Sequence, residues 1–206
     1  KDPVFVDVGA NVGYFSCLAV RHVSDVTVHA FEPHPRLVPV LRLNCWESAG
    51  RVRVWPLALT AGTRTVILST GEHNLGDTRS LAAEDGQSVD VVAPAAPLDE
   101  LMTQGSVDVV KIDVQGSEHL VVEGMLQTLH RSRDPLLIVE FGLDTMTAAQ
   151  NEPAGVLQAY RSMGFDVQWL HKDGLSRPSD EEILRAAASA GPEGQLNLVL
   201  RKRERA

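Results

Sequence analysis

Asp7-Val8-Gly9-Ala10-Asn11-Val12-Gly13 follows the apolar run Val4-Phe5-Val6 and precedes an apolar helical pattern from Tyr14 to Val20. The stretch reads as strand, tight glycine turn and helix, the arrangement that opens a nucleotide-type cofactor site. Two glycines let the backbone turn sharply and let a ligand come close to it.

Outward from this turn, short apolar runs alternate with helical patterns. Strands are expected at Val4–Val8, Val26–Phe31, Val52–Leu57, Val107–Ile112 and Leu136–Phe141, and helices at Tyr14–Val23, Pro35–Ser48, Leu98–Thr103 and Glu118–Arg131. The runs are rich in branched residues and bounded by turn residues, as buried parallel strands are. The alternation implies an α/β chain with a Rossmann-like, doubly wound and mostly parallel sheet. Residues 63–93 break the rhythm and read as an inserted hairpin or flap. A helix over Pro153–Met163 is followed by a strand at Phe165–Leu170, a helical insertion around 172–195 and a last strand at Leu196–Leu200. A strand that returns after such an excursion suits an antiparallel position. Ser117 is expected to cap the helix from Glu118, and Ser179 with Glu182 to form a capping box. One domain over residues 1–206 accommodates all of this.

The composition is that of an ordinary globular protein, with 44% apolar and 22% charged residues in 206. A net charge of −8 argues against nucleic acid as the main partner, because phosphate binding needs a basic face. No run approaches the roughly 18 apolar residues of a membrane span. The N-terminus lacks the pattern of a signal peptide. Cys17 and Cys45 both fall in expected helices without metal-type spacing and read as free buried thiols, which suits a cytoplasmic setting. Trp46 and Trp55 sit among apolar neighbours and are expected in the core. A homodimer is compatible with the sequence.

The glycine spacing discriminates between cofactors. A dinucleotide turn carries three glycines, G-x-G-x-x-G, whereas here only Gly9 and Gly13 are present. Asp7, beside the turn, would repel a pyrophosphate and suits a ligand with an ammonium and a sulfonium, as in S-adenosylmethionine. That cofactor has no phosphate, so the helix N-terminus would face its carboxylate. Glu32 ends the second strand, 19 residues after Gly13, where an acid accepts hydrogen bonds from ribose hydroxyls. Asp113 ends the strand Val109-Val110-Lys111-Ile112 and precedes a second glycine turn, at the sheet edge where open α/β folds bind ligands. The expected cofactor residues are Asp7, Gly9, Ala10, Asn11, Gly13, Glu32, Pro33 and Asp113.

These motifs, D-V-G-A-N-V-G, F-E-P and K-I-D-V-Q-G-S-E, together with the strand Leu137-Ile138-Val139-Glu140-Phe141, resemble the FkbM-type methyltransferases over roughly Val4 to Phe165. The resemblance implies a class I fold with a seven-stranded sheet, and S-adenosylmethionine-dependent O-methylation of a hydroxyl on a polyketide, macrolide or sugar-like natural product. Gln115 stands where that family more often has an acid. Such a transfer needs a group to take the hydroxyl's proton, either a base or a metal. Asp113, Glu140 and Glu118 are the candidates, and Glu118 and Asp113 are also oxygen donors of the kind magnesium takes. His119 reads as a surface residue, His34 as a turn cap beside Glu32, and His73 and Asn74 lie in the flap.

Two other readings are weaker. An NAD(P)-dependent oxidoreductase is opposed by the missing third glycine and by the lack of a Tyr-x-x-x-Lys pair, since Tyr14 is followed by Leu18 and Tyr160 by Gly164. A catalytically silent Rossmann-like binding module is opposed by the acids at Asp7, Glu32, Asp113 and Glu140.

Overall fold

The computed structural model describes residues 2–48, 50–71, 74–81, 91–191 and 194–203. In chain order the first half holds β1 (Val4–Val8), α1 (Tyr14–His22), β2 (Thr27–Phe31), α2 (Leu37–Asn44), β3 (Val52–Trp55), β4 (Ala58–Leu59), β5 (Arg64–Gly71), β6 (Asn74–Leu81), β7 (Val91–Ala96) and α3 (Leu98–Leu101). The second half holds β8 (Val109–Ile112), α4 (Glu118–Glu123), α5 (Leu126–Arg131), β9 (Leu136–Gly142), α6 (Leu143–Ala148), α7 (Pro153–Ser162), β10 (Phe165–His171), β11 (Gly174–Ser176), α8 (Asp180–Ser189) and β12 (Gln195–Lys202).

The main sheet runs β11-β10-β12-β9-β8-β1-β2-β3. Strands β3, β2, β1, β8 and β9 are mutually parallel, and β12 lies antiparallel between β9 and β10. The mostly parallel α/β sheet and its antiparallel late strand are therefore as expected. The strand number is eight rather than seven, because the 172–195 insertion is not purely helical: its β11 pairs with β10 at the edge. From β1 the chain winds outward to β2 and β3, then returns to lay β8 on the other side of β1. The strand order reverses there, which opens a crevice at the carboxyl ends of the strands.

One face of this sheet is fully buried. Val6, Val8, Val110, Ile112, Leu137, Val139 and Phe141 pack there beneath Met125, Leu129, Leu157 and Tyr160 from the helices. The alternate residues Val109, Lys111, Ile138 and Glu140 are only half-buried. That face can hold charged groups, and it carries Lys111 and Glu140.

The region after β3 departs most from expectation. Pro56 cannot donate to a ladder and ends the expected strand Val52–Leu57. The chain then builds a second sheet, β4-β7-β5-β6, in place of a lone hairpin. Strand β6 lies within the expected flap and pairs with β5 at the edge of this sheet. The helix expected over Glu118–Arg131 is broken after Glu123, because Asp99 competes for both sides of the break. Its N–H binds the Gly124 carbonyl, and its carboxylate accepts the N–H groups of Gln127 and Thr128 to cap α5. The Ser179–Glu182 capping box forms as expected. The Ser117 side chain makes no cap hydrogen bond. Trp55 stacks on Phe31 as a core residue should, but Trp46 is 83% exposed, beyond the end of α2.

Candidate active site

The crevice at the β1–β8 reversal is a cleft open to solvent on one side. Its floor is the main sheet, through Gly9, Asn11, Glu32, Pro33, Asp113 and Gln115; its roof is the second sheet, through Thr60, Arg64, Val66 and Leu68. The roof residues carry no motif, so sequence reasoning missed them.

The glycine turn is held by backbone contacts first. The N–H groups of Gly9 and Ala10 both donate to the Phe31 carbonyl, at 3.0 and 2.9 Å. Gly9 has φ +75°, and its backbone lies against the Asp113 carbonyl, closer than any side chain would allow. Gly13, at φ +89°, packs against Leu41 and the Cys45 sulfur. Of the two glycines, Gly9 alone lines the cleft. Ala10 and Gly13 lie on the α2 side and support the turn from behind.

Glu32 is the acid best placed on the cleft wall. Its Oε2 accepts the Asn11 N–H and its Oε1 the His34 N–H, each at 2.8 Å. These bonds orient the carboxylate and leave further lone pairs for a ligand. Burial holds the group above the usual carboxylate range. His34 acts as a cap: its Nδ1 accepts the Arg36 N–H and its carbonyl accepts that of Leu37.

Asp7 does not reach the cleft wall. It is 1% exposed and points beneath α1, where Oδ2 accepts the Ser16 hydroxyl at 2.6 Å. Its Oδ1 is buried with no partner, and burial raises its affinity for a proton.

Asp113 and Glu140 do come together. Ile112 pairs with Val139, so the next residues, Asp113 and Glu140, are neighbours at the ends of β8 and β9. Gln115 bridges them: its Nε2 donates to Asp113 Oδ1 at 2.8 Å and to Glu140 Oε2 at 3.0 Å. Lys111 donates to Asp113 Oδ2 at 2.9 Å, with its ammonium over the Phe15 ring. Burial acts to raise Asp113, but the Lys111 ammonium and the hydrogen bonds from Glu140, Lys111 and Gln115 outweigh it. Asp113 therefore stays below the usual range. Glu140 moves the other way, through burial and then the Asp113 charge, so the pair holds one proton near neutral pH. Lys111 and Gln115 went unassigned from the sequence. The signal for Lys111 was a lone cation inside an apolar strand, two residues before the acid and so on its face.

Glu118 faces the protein interior. It is 2% exposed, and both its oxygens close the turn after β8: Oε1 accepts the N–H groups of Val114 and Gly116, and Oε2 also accepts that of Gly116. The carboxylate expected as a base or a magnesium ligand shapes the loop carrying Asp113 and Gln115. Among the described residues no group of three or more His, Cys, Asp and Glu is placed to hold a metal. Glu118 is turned inward and Asp113 is paired with an ammonium, so this donor set gives magnesium no support. His119 is half-buried rather than superficial. His73 and the Asn74 side chain lie outside the described residues.

Burial raises Glu118 from 4.5 to about 7. Between those values the folded state binds the proton more tightly than the unfolded one. Stability from this group is complete below the unfolded value and is lost as pH rises towards 7. In denaturant titrations at pH 5 and pH 8, the wild type is expected to lose up to about 3 kcal/mol more than Glu118→Gln. Asp7 and Glu32 contribute equally to both proteins. Equal slopes in the two would show that Glu118 is not buried as an acid.

A reversing parallel sheet with a carboxylate-lined cleft at its switch point and an antiparallel last strand inserted between β9 and β10 defines a class I methyltransferase fold. It superimposes with TM-score 0.53 on a TehB-like S-adenosylmethionine-dependent methyltransferase from Corynebacterium glutamicum, covering 99% of this chain and 82% of that one at 9% identity. The methyltransferase FkbM domain matches residues 7–167, and the chain belongs to that family. It is 26% identical over 147 residues to the hexuronic acid methyltransferase AglP of Haloferax volcanii, across 70% of this chain and 59% of that protein. It is 32% identical over 158 residues to the 31-O-demethyl-FK506 methyltransferase FkbM of Streptomyces tacrolimicus, across 60% of this chain and 59% of that protein. The match thus spans 59% of the length of each of these relatives.

Proposed function

We propose that this protein methylates a hydroxyl of a small molecule with S-adenosylmethionine as donor, and that the acceptor is a sugar-like or macrolide-like compound of the kind named for its relatives. The observation that carries the reading is the cleft wall, where an oriented Glu32 and Asp113 flank the glycine turn, with Glu140 behind Asp113 and Gln115. The residues present fit the donor. Glu32 would accept the ribose hydroxyls, the apolar Phe31, Leu57 and Val66 would shelter the base, and Gly9 with Asn11 would bring backbone to its amino-acid end.

Once bound, the sulfonium supplies a methyl carbon whose leaving group is already activated. The chain must then align the acceptor, exclude water and take a proton. The roof residues Thr60, Arg64, Val66 and Leu68 close the cleft over the donor. Asp113, held ionised beside the protonated Glu140, can take the hydroxyl's proton as the methyl arrives, because the oxygen becomes strongly acidic once the new C–O bond forms. Gln115 and Lys111 hold the pair in place while this charge is neutralised. A side-chain base is favoured over magnesium because the carboxylates are tied to an amide and an ammonium.

In thermal unfolding, S-adenosylhomocysteine is expected to raise Tm by several degrees and NADH to leave it unchanged. A shift with NADH alone would overturn the methyltransferase reading in favour of an oxidoreductase. No shift with either would favour a silent binding module.

A further inference from the structure

The two thiols are free, as expected, but only Cys45 is buried, and they touch. The sulfurs of Cys17 and Cys45 lie 3.5 Å apart, although 28 residues separate them in sequence. Cys17 sits in the first turn of α1 and Cys45 directly follows α2. Between them lies the glycine turn. A side-chain carbon at Gly13 would stand 3.2 Å from the Cys45 sulfur and 3.9 Å from that of Cys17. Asn44, beside Cys45, donates to the Val12 carbonyl at 2.8 Å, so the end of α2 already grips this turn.

The two thiols differ in access. Cys17 lines an open hollow together with Arg21 and Asn44, so a small reagent can reach it. Cys45 is buried, and burial holds its thiol protonated at neutral pH. Arg21 offers a cation to an oxidant that carries carboxylates.

We infer that Cys17 and Cys45 form a modification site, a reversible disulfide made by exchange with a carboxylate-bearing low-molecular-weight disulfide, which couples thiol oxidation to cofactor binding at the glycine turn. The coupling rests on the cofactor placement proposed above; the disulfide itself does not. Cys17 loses its proton to solvent and its thiolate attacks one sulfur of the reagent, releasing the first thiolate. Cys45 then gives up its proton and attacks the Cys17 sulfur of the mixed disulfide, releasing the second. Two protein thiols lose two electrons in all, and the reagent is reduced to two thiols. A disulfide bond of about 2.05 Å is shorter than the present gap, so its closure draws α1 and α2 together across Gly13. Asn11, on the cleft side of the same turn, moves relative to Glu32.

The experiment uses oxidised glutathione on the purified chain. The wild type is expected to lose about 2 Da in intact mass, to resist maleimide, and to unfold roughly 5–10 °C higher. Cys45→Ser should stop at a stable glutathione adduct on Cys17, and Cys17→Ser should not react. Calorimetry should show S-adenosylhomocysteine bound at least about fivefold more weakly by the oxidised wild type, with recovery on reduction. Both thiols remaining open to maleimide, or Cys17→Ser reacting like the wild type, would overturn the site. A disulfide that leaves affinity unchanged would overturn the coupling. If the reduced protein binds no S-adenosylhomocysteine, the cofactor placement fails, while the mass result still decides the disulfide.

Discussion

Glu32→Ala is expected to weaken S-adenosylhomocysteine binding by at least about 100-fold in calorimetry. In the proposed pose its carboxylate accepts two ribose hydroxyls, and hydrogen bonds to a charged acceptor contribute about 1.5–3 kcal/mol each. The substitution also leaves the N–H groups of Asn11 and His34 without their acceptor, so the turn loses its orientation together with the ligand contact. Glu32→Gln keeps one acceptor oxygen and should fall between, at about tenfold. Wild-type affinity in Glu32→Ala would mean that the ribose lies elsewhere in the cleft.

Gly9→Ala is expected to destabilise the protein by more than about 3 kcal/mol, lowering Tm by roughly 6–12 °C, or to prevent folding. Two effects add. At φ +75° an alanine is strained, by roughly 1–2 kcal/mol. Its methyl would also overlap the Asp113 carbonyl oxygen, which is backbone and cannot turn aside. Relief requires parting β1 from β8, which would open the buried face around Val8 and Ile112. Gly62→Ala is the matched control, since nothing lies within 4 Å of its position and its φ is not left-handed. If the two variants unfold at the same temperature, the close approach of the two strand ends is wrong.

Local pattern made much of this protein legible. The glycine turn after β1, the acid that ends β2 and the acid that ends β8 could be placed because each closes an apolar run. A chain that alternates such runs with helices has few ways to bury them. The same logic produced the parallel sheet and the antiparallel return of β12. The Ser179–Glu182 box formed because its two partners lie within one helical turn.

Where contacts span distant residues, the pattern was silent. Asp7 and Glu32 read alike, as acids beside the turn; only the packing of α1 over β1 directs Asp7 to Ser16 and away from the cleft. Glu118 looked like a catalytic acid, yet the loop after β8 folds back onto it and takes both its oxygens. Asp99 divides a helix nearly thirty residues away, which no periodicity could announce. Gln115 gained its place from the β8–β9 register, which sets Asp113 beside Glu140.

By itself the sequence determined the strand ends, the turn between them and hence the family and the edge of the sheet where a ligand belongs, because those depend on residues adjacent in the chain. The tertiary structure decided which carboxylates line the cleft, which of them sit together and which thiols meet behind the turn, because each depends on a side chain's neighbours across the sheet rather than along it.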